Sequence, residues 1–416
     1  MYMEQVLTAD GRFRGILKDG VEIYRGITYA TYERFHDPVM TDPKGETDAT
    51  GYGCVCPQRS CRLASVMGED KGSIVEEGRL CLSIYSPAGT KQAPDKPVPV
   101  MVWIHGGSFQ TGGSEEHRYS GERLVRVGDV VVVKISYRLG ALGYLYLPEK
   151  GIANLGLKDQ KMALGWVRRN IHSFGGDPGN ITVFGQSAGA LSVSAMIATA
   201  TEPLPFAKAI MQSDPLGITI TPKEASRISK AFLKKLGKNP QEASLDEILD
   251  AQEAVGKMKT GLTFMPMVQD FMGIPPAARG IKAVVGCTSE DASPFLKALG
   301  PLFDTFIGRA AIRYATKKIF SRPTSEYLER MREAGMECDS YLITWHPKGN
   351  PLGSCHCIEL PFLLGEYDDW KDAGMLQGMT MQEFETGSTD LLKAWTGYAR
   401  TGVLRHEGII IRGKDI

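Results

Sequence analysis

Continuous apolar runs and shorter mixed runs divide the chain into predicted strands and helices. Residues 98–104 and 130–135 are apolar almost throughout, as expected for strands that are covered on both faces. A glycine-rich or polar loop follows each of them, and then residues with helical periodicity. Residues 20–26 and 80–85 predict two shorter strands, the second of which ends before Pro87. This alternation of buried strands and helices predicts a parallel α/β sheet.

The middle of the chain contains a strand–turn–helix unit. Residues 159–172 predict an amphipathic helix, which glycines end before a strand at 181–184. A short turn joins that strand to an apolar helix at 191–197. Two further strands are predicted at 283–286 and 340–345, each with a polar loop behind it. Because ligands bind at the carboxyl ends of strands in open α/β sheets, these loops and the turn are the first places to search for a site.

A helical segment of different character lies between the central strands. Its first predicted helix ends at Gly237, and Ser244 with Glu247 forms a capping box for the second helix. We expect these helices to pack over the sheet as a cap, over about 215–263. Since the chain shows no repeat, low-complexity tract or linker, residues 1–416 are predicted to form one domain.

Composition excludes several classes of function. The 416 residues carry 48 Lys and Arg against 48 Asp and Glu, so no excess of positive charge is present to bind nucleic acid or an anionic membrane. A hydrophobic content of 43% is sufficient for a large core. The N-terminal residues lack the features of a leader peptide, and no apolar run is long enough to span a membrane. We therefore expect a globular cytoplasmic protein without nucleic-acid or membrane partners.

Cysteine usage favours free thiols. Eight cysteines in a chain of this length are too few for a disulfide scaffold, and their spacing does not match paired zinc-binding motifs. Cys54, Cys56 and Cys61 could still join residues 355–357, which read CHC, in a zinc site. That arrangement is the less favoured alternative, and no metal or organic cofactor is predicted.

Residues 185–189 read GQSAG and have the pattern of a nucleophile elbow. A chain that turns sharply from strand to helix needs small residues on both sides of the turn, which leaves Ser187 exposed at its tip. The N–H of Ala188 would then point toward negative charge that develops on a substrate. Ser187 is therefore the candidate nucleophile.

A serine nucleophile needs a histidine base and an acid, and the chain order in such sheets is serine, acid, histidine. His346 is held against Pro347, and His406 lies in the polar C-terminal tail, whereas His356 lies in a loop bounded by turns on both sides. His356 is therefore the candidate base. The loop after the 283–286 strand offers two adjacent carboxylates, at positions 290 and 291, and periodicity does not choose between them.

A donor loop for a developing oxyanion is predicted at 103–109, which reads WIHGGSF at the end of the first long strand. Glycines at this place let backbone N–H groups approach a substrate oxygen. Phe109 could line the adjoining pocket or belong to the core.

The chain resembles the type B carboxylesterase and cholinesterase-like family of α/β-hydrolases over nearly its whole length. The matching motifs are YRGITYA at 24–30, SYRLGALG at 136–143, NLGL at 154–157, FGGDP at 174–178, GQSAG at 185–189, CHCIELPF at 355–362 and YARTG at 398–402.

The resemblance implies the α/β-hydrolase fold, with a central, mostly parallel twisted sheet flanked by helices, and it implies a role for each candidate. Ser187 resembles the nucleophile and His356 the base. The family acid usually stands five residues after a strand-ending glycine, which here gives Asp291 where the family usually has glutamate; Glu290 is the alternative. The N–H donors of the implied oxyanion hole are those of the residues Gly107, Ser108 and Ala188.

Three departures from the family pattern affect what can be transferred. Arg79 stands where many members have a disulfide cysteine, and Asp214 stands where glycine is usual. The cap segment is shorter than in most relatives, so a more open pocket is expected. No tryptophan occurs between residues 54 and 80, the region that supplies the cation–π platform of cholinesterases, so choline esters are not the expected substrate.

The sequence thus predicts a serine hydrolase of carboxylic esters that acts through an acyl-enzyme on a small-molecule substrate. A non-catalytic binding relative is the alternative from another class, although such proteins typically lose the serine or the histidine. Amides, thioesters and lactones are alternative substrates, because the chemistry is shared. Acyl and alcohol preference and the oligomeric state stay open.

Overall fold

The computed structural model describes residues 2–41, 45–70, 72–257, 262–405 and 410–412. Its strands are β1 (Tyr2–Thr8), β2 (Gly11–Lys18), β3 (Val21–Thr31), β4 (Val39–Met40), β5 (Glu46–Asp48), β6 (Cys54–Val55), β7 (Ile74–Val75), β8 (Arg79–Pro87), β9 (Val98–Ile104), β10 (Val131–Ile135), β11 (Gly176–Gln186), β12 (Lys208–Gln212), β13 (Lys282–Thr288), β14 (Cys338–Ile343) and β15 (Ile410–Arg412). Its α-helices are α1 (Ala64–Met67), α2 (Glu122–Gly128), α3 (Gly140–Tyr144), α4 (Leu155–Asn170), α5 (Ala188–Ala198), α6 (Pro222–Leu236), α7 (Leu245–Gly256), α8 (Ser293–Lys297), α9 (Phe306–Thr316), α10 (Arg322–Glu333), α11 (Leu360–Leu363), α12 (Tyr367–Trp370) and α13 (Met381–Thr401).

One large mixed sheet organises the described chain. Its strand order is β1-β2-β3-β8-β10-β9-β11-β12-β13-β14-β15. Outside this order, β4 pairs with β3 and β5 pairs with β2. The six neighbouring strands from β10 to β14 in this order pair in parallel. The strands that continue the main order on both sides of this block pair in antiparallel fashion. The α/β class is confirmed, and the parallel arrangement belongs to the centre of the sheet.

Strand β9 shows why the centre of the sheet is apolar on both faces. Val100 and Val102 belong to one buried cluster, which helices α4 and α5 cover. Met101 and Trp103 belong to a second buried cluster, which α2 and α13 cover. Because successive side chains point to opposite faces, a strand between two helical layers has to be apolar at every position.

Two predicted boundaries are wrong by several residues. The helix predicted at 159–172 begins earlier, at Leu155. The strand predicted at 181–184 begins at Gly176, because Gly176 already pairs with Val98 before a register shift of the β11–β9 pair. The glycines at 175 and 176 and the proline at 178 suggested a turn, but from Gly176 onward they lie in this irregular part of the strand, where a residue without a ladder hydrogen bond is tolerated.

The predicted cap helices are α6 and α7. The capping box is present, with the Glu247 N–H 3.2 Å from Ser244 Oγ and the Ser244 N–H 2.8 Å from Glu247 Oε2. The two helices pack together and attach to the α3 region through side chains, since Gln252 accepts from the Ala141 N–H at 2.8 Å. No helix within the described ranges is long and apolar enough to cross a membrane.

Candidate active site

Ser187 lies at the tip of the sharp turn between β11 and α5. Its backbone has φ 57° and ψ −121°, a region that residues with a side chain rarely adopt. The turn is held from both ends, because the Ser187 N–H donates to the Gln212 carbonyl at 2.8 Å and its carbonyl accepts from the Leu191 N–H at 2.9 Å. The backbone therefore presents the Ser187 hydroxyl at the carboxyl edge of the sheet.

The glycines on either side of this turn are required by close packing. A Cβ atom on Gly189 would lie 2.0 Å from the Ile104 carbonyl oxygen, and one on Gly185 would lie 2.6 Å from the Gly189 carbonyl carbon. Both distances are well below van der Waals contact, so α5 could not approach the sheet with larger residues here. This is the steric reason for the GQSAG pattern.

His356 and Asp291 form a buried pair. The distance from His356 Nδ1 to Asp291 Oδ1 is 2.7 Å, and the side chains are 1% and 0% exposed. Asp291 Oδ2 also accepts from the Thr288 N–H at 2.8 Å, which fixes the orientation of the carboxylate. A carboxylate only accepts hydrogen bonds, so Nδ1 carries the proton and the neutral ring has its lone pair on Nε2, where a base needs it.

The neighbouring acid, Glu290, faces a different partner. Its Oε2 accepts from the Ser354 N–H at 3.1 Å. The same oxygen lies so close to Gly353 that a Cβ atom on residue 353 would collide with it. The structure thus pairs Asp291, not Glu290, with the histidine. His346 lies against the Pro347 carbonyl, with Nδ1 at 3.0 Å, and His406 lies outside the described residues.

Two aromatic rings enclose the His356 imidazole. The ring centroids of Phe295 and Phe320 lie 5.2 and 5.3 Å from that of His356. The sequence did not identify either ring as a wall of the site, since neither lies near position 356 along the chain. These rings restrict the motion of the imidazole and exclude water from its sides.

The side chain next to the serine also contacts the histidine. Gln186 Nε2 lies 3.0 Å from His356 Nε2, so its amide donates to the lone pair of the neutral ring. Within the described residues, the Ser187 hydroxyl makes no hydrogen bond to His356. The sequence reasoning missed this contact, although Gln186 stands directly before the serine. For the serine to transfer a proton, the Gln186 amide has to release Nε2.

The glycine-rich loop after β9 packs against the turn that carries the serine. A Cβ on Gly106 would lie 3.3 Å from Ser187 Cβ. Gly107 and Ser108 have φ values of 108° and 58°. In the part of the chain that the structure describes, no group accepts a hydrogen bond from the N–H of either residue. The Ala188 N–H lies at the first position of α5, where helix N–H groups have no partner within the helix.

Buried aromatic residues support this loop from below. The ring of His105 stacks on Tyr137 with centroids 4.4 Å apart, and the Tyr137 hydroxyl donates to the His105 carbonyl at 2.7 Å. Burial lowers the pKa of His105 to about 4, so the ring is neutral at pH 7. Phe109 is fully buried against Tyr144, with centroids 4.9 Å apart, and is therefore a core residue.

Two further carboxyls are buried near the site. Burial raises the pKa of Glu359 to about 7, and its Oε1 accepts from Gln212 Nε2 at 3.2 Å. Burial also raises the pKa of Asp214 to about 7, and its Oδ2 accepts from Ser194 Oγ at 2.6 Å. Asp214, which stands where the family usually has glycine, therefore places a titratable group against α5.

All eight cysteines are free thiols. Among the described residues, no group of three or more His, Cys, Asp or Glu side chains could hold a metal ion, so the alternative zinc site is not assembled. Cys56 instead accepts from the Leu139 N–H at 3.3 Å, and His356 is paired with Asp291.

Comparison with known proteins identifies the family. Residues 3–299 match the carboxylesterase family. A probable N-octanoylanthranilate hydrolase, AqdA2, of Rhodococcus erythropolis is 35% identical to this chain over 96% of the chain and 94% of its own length. The para-nitrobenzyl esterase of Bacillus subtilis is 32% identical over 95% of this chain and 90% of its own length.

Solved structures agree with the sequence comparisons. A thermophilic PNB esterase superposes with a TM-score of 0.83 at 30% identity, covering 97% of this chain and 93% of its own. A second PNB esterase structure gives 0.84 at 29% identity, covering 96% of this chain and 91% of its own. The chain therefore belongs to the carboxylesterase family, has the α/β-hydrolase fold and is a hydrolase of carboxylic esters.

Proposed function

We propose that Ser187, His356 and Asp291 form the catalytic triad of this esterase. His356 Nε2 removes the proton of Ser187, and the serine oxygen attacks the ester carbonyl carbon. Asp291 holds the imidazole and stabilises the imidazolium that forms. The imidazolium then protonates the leaving alcohol, and water activated by the same imidazole releases the acid from the acyl-enzyme.

The N–H groups of Gly107, Ser108 and Ala188 hold the oxyanion in this mechanism. Two of them belong to the loop after β9 and the third to the start of α5, and Gly106 keeps the two segments in contact. Donors that are already oriented before reaction cost no reorganisation when the charge develops. Removing one such donor typically lowers turnover by about 10²–10³.

One observation carries the proposal: the 2.7 Å bond between two buried side chains, His356 and Asp291, at the sheet edge that presents Ser187. The Nδ1–H of the imidazole donates to the carboxylate, which leaves Nε2 as the only basic nitrogen. The backbone of Ser187 supports the same conclusion. Its positive φ is a strained conformation of the kind that occurs at functional sites.

The substrate that we propose is a small-molecule ester. Residues 1–416 act on it as a single domain, without a cofactor and without nucleic acid as a partner. A second candidate activity is cleavage of an N-acyl aromatic amine. It is favoured by the relative named as a probable N-octanoylanthranilate hydrolase, which matches 96% of this chain. The same acyl-enzyme would form from both substrates, because only the leaving group differs.

Matched substrates test the proposal. We expect the native chain to hydrolyse 4-nitrophenyl octanoate and Ser187→Ala to leave it intact. Release of 4-nitroaniline from its N-octanoyl derivative would establish the second activity. A fluorophosphonate probe should label the native chain and spare the variant. If Ser187→Ala retains turnover or labelling, the assignment of the nucleophile is wrong. If the native chain neither hydrolyses 4-nitrophenyl octanoate nor reacts with the probe, the proposed triad is wrong.

A further inference from the structure

Two thiols far apart in sequence lie next to each other in the fold. Sγ of Cys54, in β6, lies 3.3 Å from Sγ of Cys81, in β8, and the residues are 3% and 0% exposed. A disulfide has a sulfur–sulfur distance of about 2.05 Å, so the two atoms need to approach by little more than 1 Å. We propose that Cys54 and Cys81 form a redox site, which an oxidant of the peroxide class converts to an intramolecular disulfide.

This pair is distinct among the cysteines. All eight thiols lie in described residues, and only Cys54 and Cys81 lie within hydrogen-bonding distance of each other. Cys338, for comparison, donates to the Leu328 carbonyl at 3.6 Å. The pair also differs from the disulfide that the family resemblance suggests. One cysteine of that disulfide would occupy position 79, which is an arginine in this chain.

The surroundings of the pair favour Cys81 as the first sulfur to react. The hydrogen bond from Cys54 lowers the pKa of Cys81, against the opposing effect of burial, and Arg79 contributes in the same direction. The same hydrogen bond raises the pKa of Cys54. The Arg79 side chain is 42% exposed and its Nη2 lies 3.9 Å from Cys81 Sγ, so the pair lies close to solvent. A thiolate beside a cation is the form of cysteine that oxidants attack.

The proposed reaction balances in two steps. The Cys81 thiolate attacks one peroxide oxygen, the O–O bond breaks, and hydroxide leaves as the sulfur becomes a sulfenic acid. The Cys54 sulfur then attacks the Cys81 sulfur, the S–OH bond breaks, and the Cys54 proton leaves with the hydroxyl as water. The sulfur pair loses two electrons, and hydrogen peroxide is reduced to two molecules of water. A dithiol reductant reverses the disulfide by exchange.

The disulfide would tie down a segment that supports the proposed oxyanion loop. Residues 54–81 would become a closed loop, and Gln58 within it bonds both the N–H and the carbonyl of Gly112, at 2.6 and 2.8 Å. Val55 lies so close to Gly113 that a Cβ there would meet Val55 Cγ1 at 2.2 Å. Because a crosslink removes conformational freedom from the unfolded chain, oxidation should raise the midpoint of thermal unfolding by roughly 3–6 °C.

The test treats the full-length native protein with hydrogen peroxide and counts thiols after denaturation. We expect the count to fall by two, and mass spectrometry of a digest to find one peptide pair joined through Cys54 and Cys81. The melting temperature should rise as stated and return after dithiothreitol. Neither change should occur in Cys54→Ser or Cys81→Ser, whereas Cys338→Ser, a matched control at a half-buried thiol, should behave as the native chain does.

Other outcomes would overturn the proposal. They are an unchanged thiol count, a disulfide that joins any other pair, and oxidation of Cys81 to a sulfinic acid without a crosslink. The digest of the native protein decides this even if a serine variant fails to fold. Esterase activity is not a readout of this test, so its result is independent of the proposed triad.

Discussion

Adjacent carboxylates at positions 290 and 291 occupy different environments. Asp291 is fully buried and bonds His356, whereas Glu290 is partly exposed and accepts the Ser354 N–H. Neighbouring side chains in a loop point apart, so the sequence could predict that only one of them reaches the histidine. Local periodicity could not choose between them, because the choice depends on where the 353–356 segment lies in space. The family resemblance favoured Asp291, the carboxylate that bonds His356 in the structure.

At this scale we predict different consequences for the two acids. Asp291→Ala should lower kcat for 4-nitrophenyl esters by about 10³–10⁴, because the imidazole loses the partner that holds its tautomer. Glu290→Ala should cost about 1 kcal/mol of unfolding free energy through the lost hydrogen bond and change kcat far less. Steady-state kinetics and chemical denaturation of both variants measure this. The opposite ranking of the two kcat values would transfer the role to Glu290.

At the level of elements, the strongest local patterns predicted the right structures. The fully apolar run of β9 and the Ser244–Glu247 capping box of α7 are each explained by interactions within the element or with its immediate layer. Strand β12 was missed, because its five residues begin with a lysine and end with a glutamine. The rings of Phe295 and Phe320 were also missed as walls of the site, since only tertiary packing brings them to His356.

The loop after β9 offers a prediction at the same scale. A Cβ on Gly107 would lie 1.9 Å from the Thr111 carbonyl oxygen, at a backbone φ of 108°. Gly107→Ala should therefore displace the loop and lower kcat by about 10²–10³, the cost of one misplaced oxyanion donor. Gly165→Ala in α4 is the matched control, because a Cβ there meets nothing within 4 Å. Its activity should be unchanged and its stability equal or slightly higher. Equal kcat values for the two variants would argue against the loop's proposed role.

At the scale of the whole molecule, the sheet buries a group whose charge depends on pH. Asp214 follows β12 and lies behind α5, where its Oδ1 atom has no partner among the described residues. Burial raises its pKa to about 7. The folded state therefore keeps a proton that the unfolded chain releases near pH 4. Stability from this group is present at low pH and is lost as the pH rises toward 7.

We predict that Asp214→Asn removes this dependence. Relative to the variant, the unfolding free energy of the native chain should fall by about 4 kcal/mol between pH 4 and pH 7 and stay level above that. The asparagine keeps an oxygen to accept from Ser194. Denaturant titrations over this pH range provide the measurement, with Asp95→Asn at an exposed carboxyl as the control. Parallel curves for the native chain and Asp214→Asn would show that Asp214 is ionised in the folded state.

The exposed connection between α6 and α7 separates the proposed catalytic residues into two groups along the chain. Everything before it includes the nucleophile and the oxyanion donors, and everything after it includes the base and its acid. The two portions share the parallel pairing of β12 with β13. A backbone break in this connection would yield two fragments, each inactive by itself, and reassembly of the two should restore turnover. The fold is therefore suited to a split reporter, in which a coloured product shows that two proteins fused to the fragments have bound each other.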